Sequence, residues 1–142
     1  MILTAKTMPT VNSFNDLFAH AIALVRSIEH GKKTMVLGPV TAQNPEMIQE
    51  NLEQLLSHAE QLSEDGWAVL ELTPFQPLVE EIKKKLKIRD YPYGILHDFT
   101  IPLIESRCFD ALHFRKNYSE SFGATLEHDV AIGANIPIYY LP

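Results

Sequence analysis

The run Ser121-Phe122-Gly123-Ala124-Thr125-Leu126-Glu127 gathers residue types that can hold an anion and place a carboxylate beside it. Serine is a favoured N-cap, so Ser121 marks the start of a helix. The free N–H groups and positive dipole end of such a helix attract negative charge. Gly123 removes a side chain where a ligand or phosphate would approach the backbone, and Ala124 adds only a methyl. Glu127 lies one turn beyond Gly123 and shares its face. Its carboxylate can therefore point back toward whatever the helix end holds. The same spacing also suits ordinary capping, in which an early-helix carboxylate does no more than complement the dipole.

A second candidate is Gly38-Pro39-Val40-Thr41, which follows a short apolar run. Gly38 permits a close backbone approach at a strand end, where α/β sheets bind ligands. The segment is neither a phosphate-binding loop ending in Gly-Lys nor a GxGxxG fingerprint, and it reads equally as a tight turn. The six histidines form no HxxxH or HxH pair, and the lone Cys108 gives no CxxC, so neither a zinc site nor a cofactor is expected. His113 reads as a strand-end polar group, and His97 beside Asp98 as a residue within reach of a site mouth. Lys83-Lys84-Lys85 reads as a solvated helix face. Tyr91 and Tyr93 flank Pro92 in a loop, where they either stack on a base or pack the loop down.

The elements that must position these residues alternate. Residues 1–12 read as an irregular arm. Phe14, Leu17, Phe18, Ala21, Leu24, Val25 and Ile28 recur at helical spacing after Asn12 or Ser13, with Gly31 as the stop. Thr34 to Leu37 is a buried strand. Asn44-Pro45 opens a second helix that Asp65-Gly66 ends, and Trp67 to Leu72 is a second strand broken off by Pro74. A third helix carries Leu78, Val79, Ile82 and Leu86. A loop spans 89–94, and a short helix is expected between Asp98 and Arg107, interrupted near Pro102. Phe109 to Phe114 is a third strand, Phe122 to Ile132 a helix closed by Gly133, and Ile136 to Tyr140 a last strand. Apolar strands alternating with helices predict an α/β fold: a flavodoxin-like or Rossmann-like doubly wound parallel sheet of about four to five strands, with an extra N-terminal helix. The loops after Leu37, Leu72 and Phe114 are then the ones that carry function.

These motifs resemble the nucleoside 2-deoxyribosyltransferase-like superfamily. The resemblance rests on the strand ending in Gly38-Pro39-Val40-Thr41, on Gly66-Trp67-Ala68-Val69 leading to Pro74, and above all on the C-terminal third. That third reads Phe109-Asp110-Ala111-Leu112-His113-Phe114, then Ser121-x-Gly123-Ala124-x-x-Glu127, then Ala131-x-Gly133-x-x-Ile136-Pro137-Ile138-Tyr139. It is closest to a small uncharacterised branch, and is similar to the 2-deoxynucleoside 5-phosphate N-hydrolases. The resemblance covers about residues 33–140 and leaves residues 1–31 outside the core likeness. It implies that Glu127 attacks the anomeric carbon of a nucleoside sugar and forms a glycosyl ester, which a second base or water resolves. It implies that Ser121 meets a phosphate, that Gly123 and Ala124 give close backbone approach, and that Gly38, Pro39 and Asp110 bind substrate. The leaving-group acid belongs upstream of the third strand. Pro102 stands near that place, and Asp98 is the nearest aspartate. Members are commonly homodimers or larger, which is the expectation here.

Composition limits the partners. The chain has 142 residues, ordinary for one domain and one core, and its 46% apolar and 21% charged content is that of a globular protein. A formal net charge of −6 argues against a nucleic-acid polymer as partner but leaves room for a single nucleotide. No run resembles a signal peptide or a membrane span, and a single cysteine suits a reducing compartment, so a cytoplasmic location is expected. The sequence thus points to N-glycosidic cleavage or deoxyribosyl transfer on a nucleoside or nucleotide. Its rivals are a domain that binds a nucleotide without turnover, and a partner-binding protein that works through its N-terminal helix.

Overall fold

Short apolar runs bounded by turn residues become the strands of one parallel sheet. The structure, a computed structural model, describes residues 1–4, 10–40 and 44–142. Its strands are β1 (Ile2–Leu3), β2 (Lys33–Leu37), β3 (Ala68–Leu70), β4 (Leu112–Arg115) and β5 (Ile138–Leu141). Their order is β1-β3-β2-β4-β5, and every pairing is parallel. The fold is therefore α/β and doubly wound. From β2 the chain first builds outward to β3, then returns to the other side of β2 with β4. The switch point lies between the carboxyl ends of β2 and β4, where open sheets of this kind leave a crevice.

The helices are α1 (Phe14–Arg26), α2 (Pro45–Glu64), α3 (Gln76–Lys85), α4 (Ile101–Glu105) and α5 (Phe122–Gly133). Three begin at the polar residues their sequences suggest. Ser13 accepts from the Asp16 N–H, Asn44 from the Met47 N–H, and Ser121 from the Ala124 N–H. Strand side chains alternate between two cores. Met35, Leu37, Leu70, Leu112 and Phe114 face a core shared with α1, α3 and α4. Val36 and Val69 face Leu55, Ala59 and Leu62 of α2 on the other side. The fully buried stripe Leu17, Ala21 and Val25 makes α1 part of the first core.

Several boundaries differ from the sequence reading, each for a local reason. Ile2 and Leu3 belong to a strand, because they find the free edge of β3; residues 5–9 of the expected arm lie outside the described residues. Gly133 is the last helical residue of α5, and the left-handed turn falls on Asn135 at φ 57°. The segment before Pro102 winds as a π-helical turn, Leu96–Thr100, which runs directly into α4. Proline cannot donate to the carbonyl one α-turn back and its ring crowds that carbonyl, so the regular α-helical ladder is interrupted ahead of Pro102, which stands in the first turn of α4. The Ile101 N–H and the Thr100 hydroxyl reach the carbonyls of Leu96 and Ile95, the latter at 3.3 Å. None of the described helices is long and apolar enough to cross a membrane.

Candidate active site

Glu127 owes its place to α5, which starts at the mouth of the crevice beyond β4 and runs back along the sheet. Its carboxyl group is buried, with the residue only 6% exposed, and it lines a cavity of about 380 Å³. That is the scale of small-molecule sites. The cavity lies over the carboxyl ends of the sheet. One wall is apolar and comes from Ile48, Leu52 and Leu55 of α2. Facing it are Leu96, Phe99 and Thr100 of the π-helical turn, with Tyr91 from the preceding loop. Ser121, Gly123 and Ala124 complete the end where α5 begins. The mouth carries charge from Glu80, Lys83, Arg89 and Asp90.

Burial raises the pKa of the Glu127 carboxyl to about 7, against a partial opposing pull from the Thr100 hydroxyl. Tyr91 is pushed the same way, to about 12, first by burial and then by the nearby Glu127 carboxylate. Its ring is held by Tyr93, whose centroid is 5.0 Å away, and Tyr93 in turn packs edge-on to the exposed Phe122 at 6.1 Å.

The two glycines expected to leave space for a ligand serve instead to admit side chains of the protein. A Cβ on Gly123 would stand 2.8 Å from the Tyr91 hydroxyl oxygen. One on Gly38 would stand 2.9 Å from Cδ of Arg115, whose stem crosses the end of β2. Ser121 uses its oxygen to cap α5, accepting from the Ala124 N–H at 3.2 Å.

The structure thus brings Glu127, Ser121, Gly123, Ala124 and Gly38 to one cavity, and leaves three expected residues outside it. Pro39 is buried beside Gly38 without lining the space, and Thr41 of the same motif is outside the described residues. Asp98 is exposed on the outer side of the π-helical turn, beside Gly94. The winding ahead of Pro102 turns Leu96, Phe99 and Thr100 inward and leaves His97 and Asp98 toward solvent. Asp110 lies before the amino end of β4, at the opposite end of the sheet from the crevice, where its carboxylate accepts the Lys33 N–H at 2.7 Å. That bond registers β4 against β2. His113 is buried, shares a 2.7 Å hydrogen bond with Thr34 and stacks on Tyr139, all on the strand face away from Phe114.

Sequence reasoning missed Thr100, Asp90 and the apolar wall of α2, and read Lys83 as solvated. The α2 wall and Lys83 show in the sequence only as helical periodicity and Asp90 only as a loop residue, and neither signal says which elements meet above the sheet. Comparison with protein-family models, characterised proteins and solved structures finds no match for this chain.

Proposed function

We propose that the chain cleaves the N-glycosidic bond of a nucleoside or nucleotide, or transfers its deoxyribosyl group, with Glu127 as nucleophile. The observation that carries this reading is a lone buried carboxyl group on the floor of a ligand-sized cavity at the switch point. The Ser121-x-Gly123-x-x-x-Glu127 spacing that suggested such chemistry is what brings it there. The apolar walls of α2 and the π-helical turn suit a planar base, and Glu127 faces the sugar.

In this reading a Glu127 oxygen attacks C1′ of the sugar. The C1′–N bond breaks and its electron pair leaves on the base nitrogen, which takes up a proton. Water, or a second base, then attacks C1′ of the ester, gives up its own proton and frees the carboxylate. Asp90 supplies the leaving-group proton in this scheme. Of the other two cavity carboxyls, Asp90 makes neither ion pair nor side-chain hydrogen bond among the described residues, whereas Glu80 holds Lys83 and Gln76. The resemblance that suggests this chemistry also suggests a homodimer or larger assembly, which light scattering checks.

The test is direct. Parent protein incubated with the four deoxynucleoside 5′-monophosphates and their nucleosides releases free base, followed by chromatography. Glu127→Ala slows release by about a thousandfold or more. No base from any of the eight compounds, or an unchanged rate in Glu127→Ala, ends the proposal. One observation favours a second reading, binding without turnover: both remaining cavity carboxyls are exposed at the mouth. Ligand-dependent thermal stabilisation without product is its signature.

A further inference from the structure

Thr100 puts a buried hydroxyl on the cavity wall and is the last residue of the π-helical turn. Turns of this kind are uncommon and recur at functional sites. A helical threonine ordinarily returns its proton to a carbonyl three or four residues back. Here the Leu96 carbonyl, four residues back, takes the Ile101 N–H, and the Thr100 hydroxyl donates to the Ile95 carbonyl at 3.3 Å. That is long for a hydroxyl donor, which usually stands about 2.7 to 2.8 Å from its acceptor. The proton of Thr100 is therefore weakly held and free to be redirected.

The Glu127 carboxyl lies within hydrogen-bonding reach of that hydroxyl. Burial disfavours its ionised form, and the Thr100 hydroxyl is the group that opposes burial. Among the described residues no cation pairs with it. The other ionisable groups nearby give no such help. Tyr91, from the loop before the π turn, stays protonated up to about pH 12. Glu80 and Lys83 of α3, with Arg89 and Asp90 after it, stand at the mouth as matched acids and bases. The cavity residues of α2 named above do not ionise. His128, next on α5, turns to Tyr118 and Tyr140. His97 and Asp98 of the π turn, Glu105 of α4, and Glu120 and Asp129 at either side of Glu127 are all exposed.

We infer that Thr100 is the positioning residue of Glu127, through a hydrogen bond whose direction follows the charge of the carboxyl. A hydroxyl has one proton to give and lone pairs with which to accept. When Glu127 is ionised, Thr100 donates to the carboxylate, a charge-assisted bond stronger than the one to Ile95 that it replaces. When Glu127 is protonated, its own O–H donates to the Thr100 oxygen, and Thr100 keeps the Ile95 carbonyl. In both states one carboxyl oxygen is held against the π turn and the other faces the cavity. The π turn thus supplies a donor that can be given up without leaving a buried proton unpaired. In the proposed function the second oxygen is the one that attacks. As the ester forms the carboxyl loses its charge, and the Thr100 proton returns to Ile95. Only this last step rests on the proposed function; the hydrogen bond does not.

The carboxyl carbon of Glu127, identified by its absence in Glu127→Gln, reports on this bond by carbon-13 nuclear magnetic resonance without any turnover. In the full-length parent it is expected to titrate at about 7. Thr100→Val keeps the shape of the side chain and removes the hydroxyl. It is expected to raise that midpoint by about one pH unit or more, the size of a hydrogen bond to a charged group. Thr100→Ser, which restores the hydroxyl, brings the midpoint back to nearly the parent value. Parent and Thr100→Val titrating together overturns the inference, as does Thr100→Ser shifted as far as Thr100→Val. If valine does not fold in the π turn, Thr100→Ala is compared with Thr100→Ser and read the same way. Base release from deoxynucleosides is followed alongside, and its rising pH limb is expected to move with the carboxyl titration. A limb that stays in place while the titration shifts, or a shifted titration with no base released, ends the nucleophile reading and leaves the Thr100 bond standing.

Discussion

At the scale of single residues, Glu127 couples folding to pH. Its carboxyl is protonated more readily in the folded protein than in the unfolded chain, with a folded pKa of about 7 against the ordinary 4.5. The folded state therefore holds the proton more tightly between those values. The contribution is fully present below about pH 4.5 and is lost as pH rises toward 7, amounting to at most about 3 kcal/mol. Glu127→Gln, which cannot ionise, is expected to lack this slope and to exceed the parent in stability at pH 8. Denaturant unfolding of both proteins at pH 5 and pH 8 checks it, and parallel pH dependence contradicts it. The nucleophile reading adds that activity rises with pH as the carboxyl ionises and levels off above about 7.

A second residue-scale prediction concerns the contact of Gly123 with Tyr91. Alanine at an ordinary helical site gains about 1 kcal/mol over glycine. Here its methyl would stand 2.8 Å from the phenol oxygen, so Gly123→Ala is expected to destabilise by about 1 to 3 kcal/mol. Tyr91→Phe removes that oxygen, and the double variant should recover most of the loss. Strict additivity in the cycle would mean that the two residues do not meet as described. The same geometry explains part of what the sequence could reveal. Glu127, Ser121 and Gly123 lie within seven residues of one chain segment, so their spacing survived into the site. The reason for Gly123 did not, because its neighbour arrives from the loop before the π-helical turn.

At the scale of elements, helical periodicity located α1, α2, α3 and α5, while proline and tertiary pairing decided the details. Pro102 announced an interruption, but the interruption took the form of a π turn that reversed the expected exposure of Asp98. Asp110 was assigned to substrate by the resemblance alone; the structure puts it just before the amino end of β4, where its carboxylate holds the Lys33 N–H. Asp98→Asn is accordingly expected to leave base release within about twofold, whereas Asp90→Asn should slow it by about a hundredfold or more if it is the acid. Rates on the two variants decide between them, and a large loss in Asp98→Asn alone would restore the sequence-based assignment. The N-terminal helix also changes role. Its buried Leu17, Ala21 and Val25 close the first core against the π turn and α4. Leu17→Ala should cost about 2 to 5 kcal/mol, read by denaturant unfolding, and a change below about 1 kcal/mol would mean α1 is not part of the core.

At the scale of the whole molecule, the strand order matters more than any one element. Because β2 lies between β3 and β4, the loops that follow these strands converge on one crevice, and helices from both faces wall it. The fold class was legible because parallel strands leave apolar runs and helices leave a 3.6-residue stripe. The cavity was not, since α2, α3, the π-helical turn and α5 meet there from distant parts of the chain. Filling that cavity should therefore stabilise the protein as a unit. A ligand present at a hundred times its dissociation constant adds about 2.7 kcal/mol. For a chain of this length each kcal/mol raises Tm by about 2 to 4 °C, so a rise of about 5 to 10 °C is expected. The compound to use is a deoxynucleoside 5′-monophosphate, with the Glu127→Gln protein to prevent turnover. All probes should shift together, including far-ultraviolet circular dichroism for the helices and Trp67 fluorescence for the start of β3. A shift in one probe alone, or none at saturating ligand, would mean that the elements around the crevice do not share a bound nucleotide.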